Sequence, residues 1–112
     1  MDFNMYLPTK ILFGTGTLNK LGNQQLPGKK AVIIISNGKS TRANGYLSRT
    51  EDQLAQAGVA TSVFDKIQPN PLKGTVMEGA AFVKAQGADF IVALGGGSVI
   101  DSAKAIAVMA AN

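Results

Sequence analysis

Residues 31–36, AVIIIS, constrain the fold of this chain more than any other stretch. Five apolar residues, four of them β-branched, run without interruption up to Ser36. A strand with one solvated face alternates apolar and polar side chains. A strand that is apolar on both faces has to be covered on both, which is the situation inside a parallel sheet.

The rest of the sequence repeats a strand-then-helix rhythm. The turn-rich SNGKSTRANG (36–45) leads into YLSRTEDQLAQAG, where Leu47, Leu54 and Ala57 recur at helical spacing and Gly58 supplies a stop. A second strand is predicted at ATSVFD (60–65). The proline-bracketed IQPNPLKGTVMEGAAFVKAQG then opens as a turn and continues as a helix with Val76, Ala80 and Val83 on one face and Gly87 at its end. DFIVAL (89–94) is the third strand, and a last helix starts near residue 98, after GGG. The predicted class is α/β: a parallel-sheet, Rossmann-like half domain of order βαβαβα. It is preceded by a short N-terminal strand at KILFG (10–14), expected at an edge, with GTGTLNKLG (14–22) as a turn into a helical turn. Crossovers of one hand place the helices.

Composition removes several function classes. With no histidine and no cysteine, the chain cannot build a Ser-His-Asp triad, a histidine metal cluster, a thiolate zinc site or a disulfide. Its cysteine-free make-up fits a reducing cytoplasm, the expected location. The 112 residues amount to one domain. No apolar run approaches the roughly 20 residues of a membrane helix, and no signal-peptide pattern opens the chain. The net charge is +4, but the basic residues are spread from Lys10 to Lys104. A nucleic-acid face shows clustering, so no nucleic-acid or membrane partner is expected.

Gly95, Gly96 and Gly97, followed by Ser98, sit between a buried strand and an alanine-rich helix. Free backbone N–H groups and the positive helix end there suit an anion, and glycines let a pyrophosphate approach the backbone. The structural alternative is a tight turn with Ser98 and Asp101 as a capping box; that accounts for the two polar residues but not for three glycines. A G-x-G-x-x-G fingerprint fails at Ile100, and GKS at 38–40 is no P-loop because Ile33 replaces the required glycine. The first strand-to-helix turn carries no acid and offers Lys39, Ser40 and Arg42, groups suited to a 2′-phosphate; otherwise it is an ordinary exposed loop. Asn70 before Pro71 reads structurally as an N-cap followed by proline. Arg49, Glu51 and Asp52 are expected at the surface, and Met77, Phe82 and Phe90 in the core.

Taken in order, PTKILFGTGTL (8–18), NGKSTRANGYL (37–47), PNP (69–71) and GGGSVIDSAKAIA (95–107) resemble the iron-containing (group III) alcohol dehydrogenases, in particular their butanol-dehydrogenase-like branch. The resemblance covers essentially the whole chain. It implies a cofactor-binding N-terminal domain. Pyrophosphate of a nicotinamide dinucleotide would lie over Gly95, Gly96, Gly97 and Ser98, with Asp101 nearby and Asn70 bordering the site. Asn37 stands where members that prefer NAD often carry aspartate; with Lys39, Ser40 and Arg42 close by, the resemblance favours NADP over NAD, and Gly38 lies in the same cofactor turn. Ser98 stands where related glycerol dehydrogenases typically carry lysine, which separates the branches.

Members of the family also have a helical domain whose aspartate and histidines hold iron or zinc, a Lewis acid for the alcohol or aldehyde oxygen. No such residues follow here. The expectation is therefore a fragment, residues 1–112 of a partial dinucleotide-binding domain, catalytically inactive by itself. Apolar surface and an open sheet edge should favour a homo-oligomer. A stand-alone module that binds a phosphorylated ligand or a protein partner is the alternative.

Overall fold

The computed structural model describes residues 9–12, 28–37, 45–68, 73–95 and 97–111. Within them the chain forms β1 (Thr9–Leu12), β2 (Lys30–Ser36), α1 (Tyr46–Gln56), β3 (Ala60–Ile67), α2 (Lys73–Gln86), β4 (Phe90–Leu94) and α3 (Gly97–Ala111). The four strands make one sheet of order β1-β4-β2-β3, parallel throughout. The predicted α/β half domain with its short leading edge strand is the observed architecture. The helical turn expected within 14–22 lies outside the described residues.

Inner position explains composition. β4 lies between β1 and β2, and β2 between β4 and β3. Ala31 to Ile35 and Phe90 to Leu94 are all buried. Alternate residues of each strand feed two cores. Ala31, Ile33, Ile35, Phe90, Val92 and Leu94 share one face with Leu47 and Leu54 of α1. Val32, Ile34, Ile91 and Ala93 face the other way, against Ala80 and Val83 of α2 and Val99, Ala103 and Ile106 of α3. The chain moves outward from β2 to β3 over one face and returns from β3 to β4 over the other. Opposite directions on opposite faces mean that both crossovers have the same hand, as the rule for parallel sheets requires.

Helix ends follow the glycines. Gly58 and Gly87 both have positive φ just past α1 and α2, where Val59 N–H donates to Leu54 O at 2.8 Å and Ala88 N–H to Val83 O at 3.3 Å. Two expectations for helix faces are corrected. Met77 is 51% exposed and not in the core, because the buried stripe of α2 runs through Gly79, Ala80 and Val83, with Val76 packed beside it. Ala57 is likewise exposed, lying beyond the last turn of α1 as its C-cap.

Strand β3 is longer than predicted because it is irregular. Ile34 pairs with Phe64, but Ser36 pairs with Ile67, so β3 carries one extra residue opposite Ile35. Phe64 and Ile67 consequently point into the same core, three residues apart where a regular strand would need two or four.

A carboxylate fixes the opposite end of the sheet. Asp89 accepts backbone N–H bonds from Lys29 at 2.9 Å and Lys30 at 3.2 Å, and its own N–H donates to Lys30 O at 2.8 Å. Gly28 packs so close that a Cβ there would overlap the Asp89 side chain. Asp89→Ala should lower unfolding free energy by about 1–2 kcal/mol, from two lost hydrogen bonds at an exposed site. Urea denaturation would check this, and an unchanged midpoint would refute it.

Candidate functional site

The turns singled out in the sequence leave the sheet at its carboxyl edge. Asn37 follows β2, Gln68 follows β3 and Gly95 follows β4. The strand order places the first and last of these on neighbouring strands. Chain leaving β2 goes to α1 on one face of the sheet, and chain leaving β4 goes to α3 on the other. Adjacent parallel strands followed by helices on opposite faces mark the switch point at which open α/β sheets place their ligand crevice.

Gly95 forms one lip of that crevice. Its φ of +148° is one that side-chain-bearing residues rarely adopt, and a Cβ there would stand 3.2 Å from Val99 Cγ2. Any residue but glycine strains the turn and presses on the helix behind it. α3 begins at Gly97, so Ser98 lies inside its first turn rather than ahead of it, half-buried, and Asp101 is exposed further along the helix. A capping box led by Ser98 would need the helix to start two residues later, at Val99. The helix start brings the positive end of a 15-residue helix to the crevice.

Asn37 forms the other lip. It is exposed, and its backbone N–H donates to Ile67 O at 2.8 Å, tying the exit of β2 to that of β3. Gly38, Lys39, Ser40, Asn70 and Gly96 lie outside the described residues.

Sequence reasoning missed a link next to Asn70. Thr75 Oγ1 donates to Gln68 Oε1 at 2.9 Å, across the connection 69–72. Its signal is weak: a threonine seven residues after a glutamine has no meaning until the turn between them is known. Ser102, on α3, is buried, and its Oγ lacks a hydrogen-bond partner among the described residues.

No group of three or more Asp, Glu, His or Cys side chains gathers among the described residues, and the whole sequence lacks histidine and cysteine. None of the described helices is long and apolar enough to cross a membrane.

A sequence profile described as iron-containing alcohol dehydrogenase matches residues 8–112. Probable NADH-dependent butanol dehydrogenase 1 of Bacillus subtilis is 39% identical over 106 residues, which are 95% of this chain and 27% of that protein. NADPH-dependent aldehyde reductase YqhD of Escherichia coli is 38% identical over 109 residues, 97% of this chain and 27% of the relative. Among solved structures, NADH-dependent butanol dehydrogenase A of Thermotoga maritima superposes with a TM-score of 0.78 at 34% identity, covering 99% of this chain and 28% of that one. The chain thus spans roughly a quarter of the length of the relatives it matches. By its profile match, the ordered motifs and the shared fold, the chain belongs to the iron-containing alcohol dehydrogenases.

Proposed function

We propose that this chain is the dinucleotide-binding portion of a metal-dependent alcohol dehydrogenase and holds NADP, or less favourably NAD, across the carboxyl edge of its sheet. The observation that carries the reading is the crevice between β2 and β4, with Gly95 at φ +148° on one side and the start of α3 behind it. Backbone N–H groups at the start of α3 would bind the pyrophosphate, with Gly95, Gly96 and Gly97 keeping side chains out of its way and Ser98 offering a hydroxyl. Asp101 would border the helix start. Asn37, Gly38, Lys39 and Ser40, leaving β2, would take the adenosine ribose, and the Lys39 ammonium favours a 2′-phosphate there. Asn70 would border the cofactor from the side of β3.

When bound, the nicotinamide supplies the hydride donor or acceptor for an alcohol–aldehyde pair. This chain's share is to bind and orient it. Among the described residues no cluster of side chains would hold the iron of the family, so the reading assigns it to residues other than these, and the 112-residue chain is expected to be inactive by itself. A cytoplasmic location and self-association along an open sheet edge, β1 or β3, belong to the same reading.

Calorimetric titration with NADPH and NADH, repeated on Gly97→Val, tests it. NADPH should bind more tightly than NADH, and the substitution should weaken either by at least about tenfold, the equivalent of about 1.4 kcal/mol. Circular dichroism would establish that the variant is folded. If a folded wild-type chain bound neither dinucleotide, the alternative of a non-catalytic module would take its place.

A further inference from the structure

We propose that Gln68 is a further contact for the dinucleotide: its carboxamide, held through its oxygen by Thr75, donates N–H bonds to the adenosine end. The proposal rests on the dinucleotide reading above and extends that site from the exit of β2 to the exit of β3.

The extra residue in β3 sets the placement. Regular pairing would continue from Ile34 and Phe64 to Ser36 and Lys66, but Ser36 pairs with Ile67. Ile67 O receives the Asn37 N–H at 2.8 Å, the bond a parallel ladder makes when Asn37 stands level with Gln68. Gln68 is the first residue beyond β3. Neighbouring strands lie about 4.8 Å apart, so Asn37 and Gln68 leave the sheet side by side. Without the bulge Ile67 would stand level with Asn37; with it, Ile67 enters the core and a glutamine takes that level.

Strand order says which part of the ligand Gln68 meets. The reading puts the pyrophosphate at the start of α3, after β4, and the adenosine ribose at the residues leaving β2. β2 lies between β4 and β3. A ligand that crosses from β4 to β2 therefore directs its adenosine end at the exit of β3.

Thr75 prepares the side chain. In the first turn of α2, it donates to Gln68 Oε1 at 2.9 Å, and both residues are half-buried. That bond commits the oxygen to Thr75 and turns the amide's N–H donors away from it. No described residue accepts from them. Ring nitrogens and ribose oxygens of adenosine are matching acceptors. A side chain fixed before the ligand arrives also loses less freedom on binding.

The experiment is calorimetric titration of the 112-residue chain with NADPH and with NADH. Each variant is also melted and its fold checked by circular dichroism. Gln68→Met keeps the length and removes the amide. It should weaken both dinucleotides about fivefold, the effect of one ordinary hydrogen bond, because the contact is to the adenosine they share. Thr75→Val keeps the donors but frees the side chain, and should cost about twofold. Gln68→Glu keeps the acceptor for Thr75 and removes the donors. Titrated at high salt, which screens its charge, it should melt as wild type does and bind about fivefold more weakly; it carries the test if Gln68→Met does not fold. Ser62→Ala is the structural control. Ser62 Oγ donates to Gln86 Oε1 at 2.8 Å and accepts from Lys30 Nζ at 3.2 Å, also half-buried but at the amino end of the sheet. It should lower the melting temperature at least as much as Thr75→Val and leave both affinities unchanged. If Gly97→Val weakens binding while the Gln68 variants bind as wild type does, the contact is overturned and the site stands. A loss confined to NADPH would assign Gln68 to the 2′-phosphate and overturn the adenosine contact. If Ser62→Ala weakens binding as much as Gln68→Met, the effect is general destabilisation and the contact is again overturned. If the wild type binds neither dinucleotide, or Gly97→Val binds as it does, the site reading falls and takes this proposal with it.

Discussion

Phe90→Ala should remove about 3–5 kcal/mol of stability, the usual cost of emptying a buried phenylalanine site. For a domain of this size total stability is about 5–15 kcal/mol, so the variant should be largely unfolded in mild denaturant or fail to accumulate. Phe90 has no exposed surface, opens the inner strand β4 and stands beside Ala31 of β2 in the parallel register. Its neighbours Ile33, Val92, Leu47 and Leu54 belong to strands and a helix that hold each other in place, so the cavity cannot close by local collapse. Phe82 gives the contrast. It lies on the outer part of α2, half-buried, with its ring tilted 42° against Phe64 at 5.8 Å. Phe82→Ala loses part of one aromatic contact and should cost about 1–2 kcal/mol. Urea midpoints of the two variants compare them directly; equal losses would contradict the assignment of Phe90 to the rigid centre.

The second large effect is expected at Gly79, where α2 meets α3. A Cβ there would stand 2.5 Å from Ile106 Cδ1, 3.1 Å from Ile106 Cγ1 and 3.2 Å from Phe64 Cε2. Ile106 is 0% and Phe64 3% exposed, so neither side chain can retreat into solvent. Gly79→Ala gains about 1 kcal/mol of helix propensity but overpacks the contact by about 1–3 kcal/mol. Gly79→Val adds two more methyl groups and gives up most of the propensity gain, so a net loss of about 3 kcal/mol or more is expected. Coupling to Ile106 checks the cause. Ile106→Val alone should cost about 0.5–1.5 kcal/mol, yet combined with Gly79→Ala it removes the clashing δ-methyl, and the double variant should be more stable than the sum of the singles predicts. Strict additivity would mean that the helices part instead of clashing.

The inner strands were readable from sequence because burial on both faces leaves a visible mark: AVIII and FIVAL contain no polar residue. The glycine turn was readable for a related reason, since a triplet of glycines between strand and helix has few other uses. Features that depend on which segments become neighbours were not readable. The bulge that carries β3 on to Ile67 shows only when β2 supplies its register. Asp89 looked like the start of a strand, whereas its carboxylate holds Lys29 and Lys30, 60 and 59 residues earlier. Met77 is expected in the core, yet it stands next to Val76, about a quarter-turn off the stripe of Val76, Ala80 and Val83, and is exposed. In the site, Gly95 is legible as part of the glycine triplet and Asn37 only through the family resemblance, whereas the Thr75–Gln68 bond joins residues whose meeting no local pattern announces.

The place of β1 has a consequence for the order in which the molecule can be made. Its register partner is β4, with Thr9 opposite Ile91 and Leu12 opposite Leu94. Among the described strands, the first to leave a ribosome therefore waits for the last. About eighty residues must be added in between, which at about 5–20 residues per second is a delay of about 4–16 seconds. During that interval β2, α1 and β3 can already assemble, because their partners are close in the chain. β4 then enters between that early unit and the waiting β1, and one insertion completes both sides of the strand.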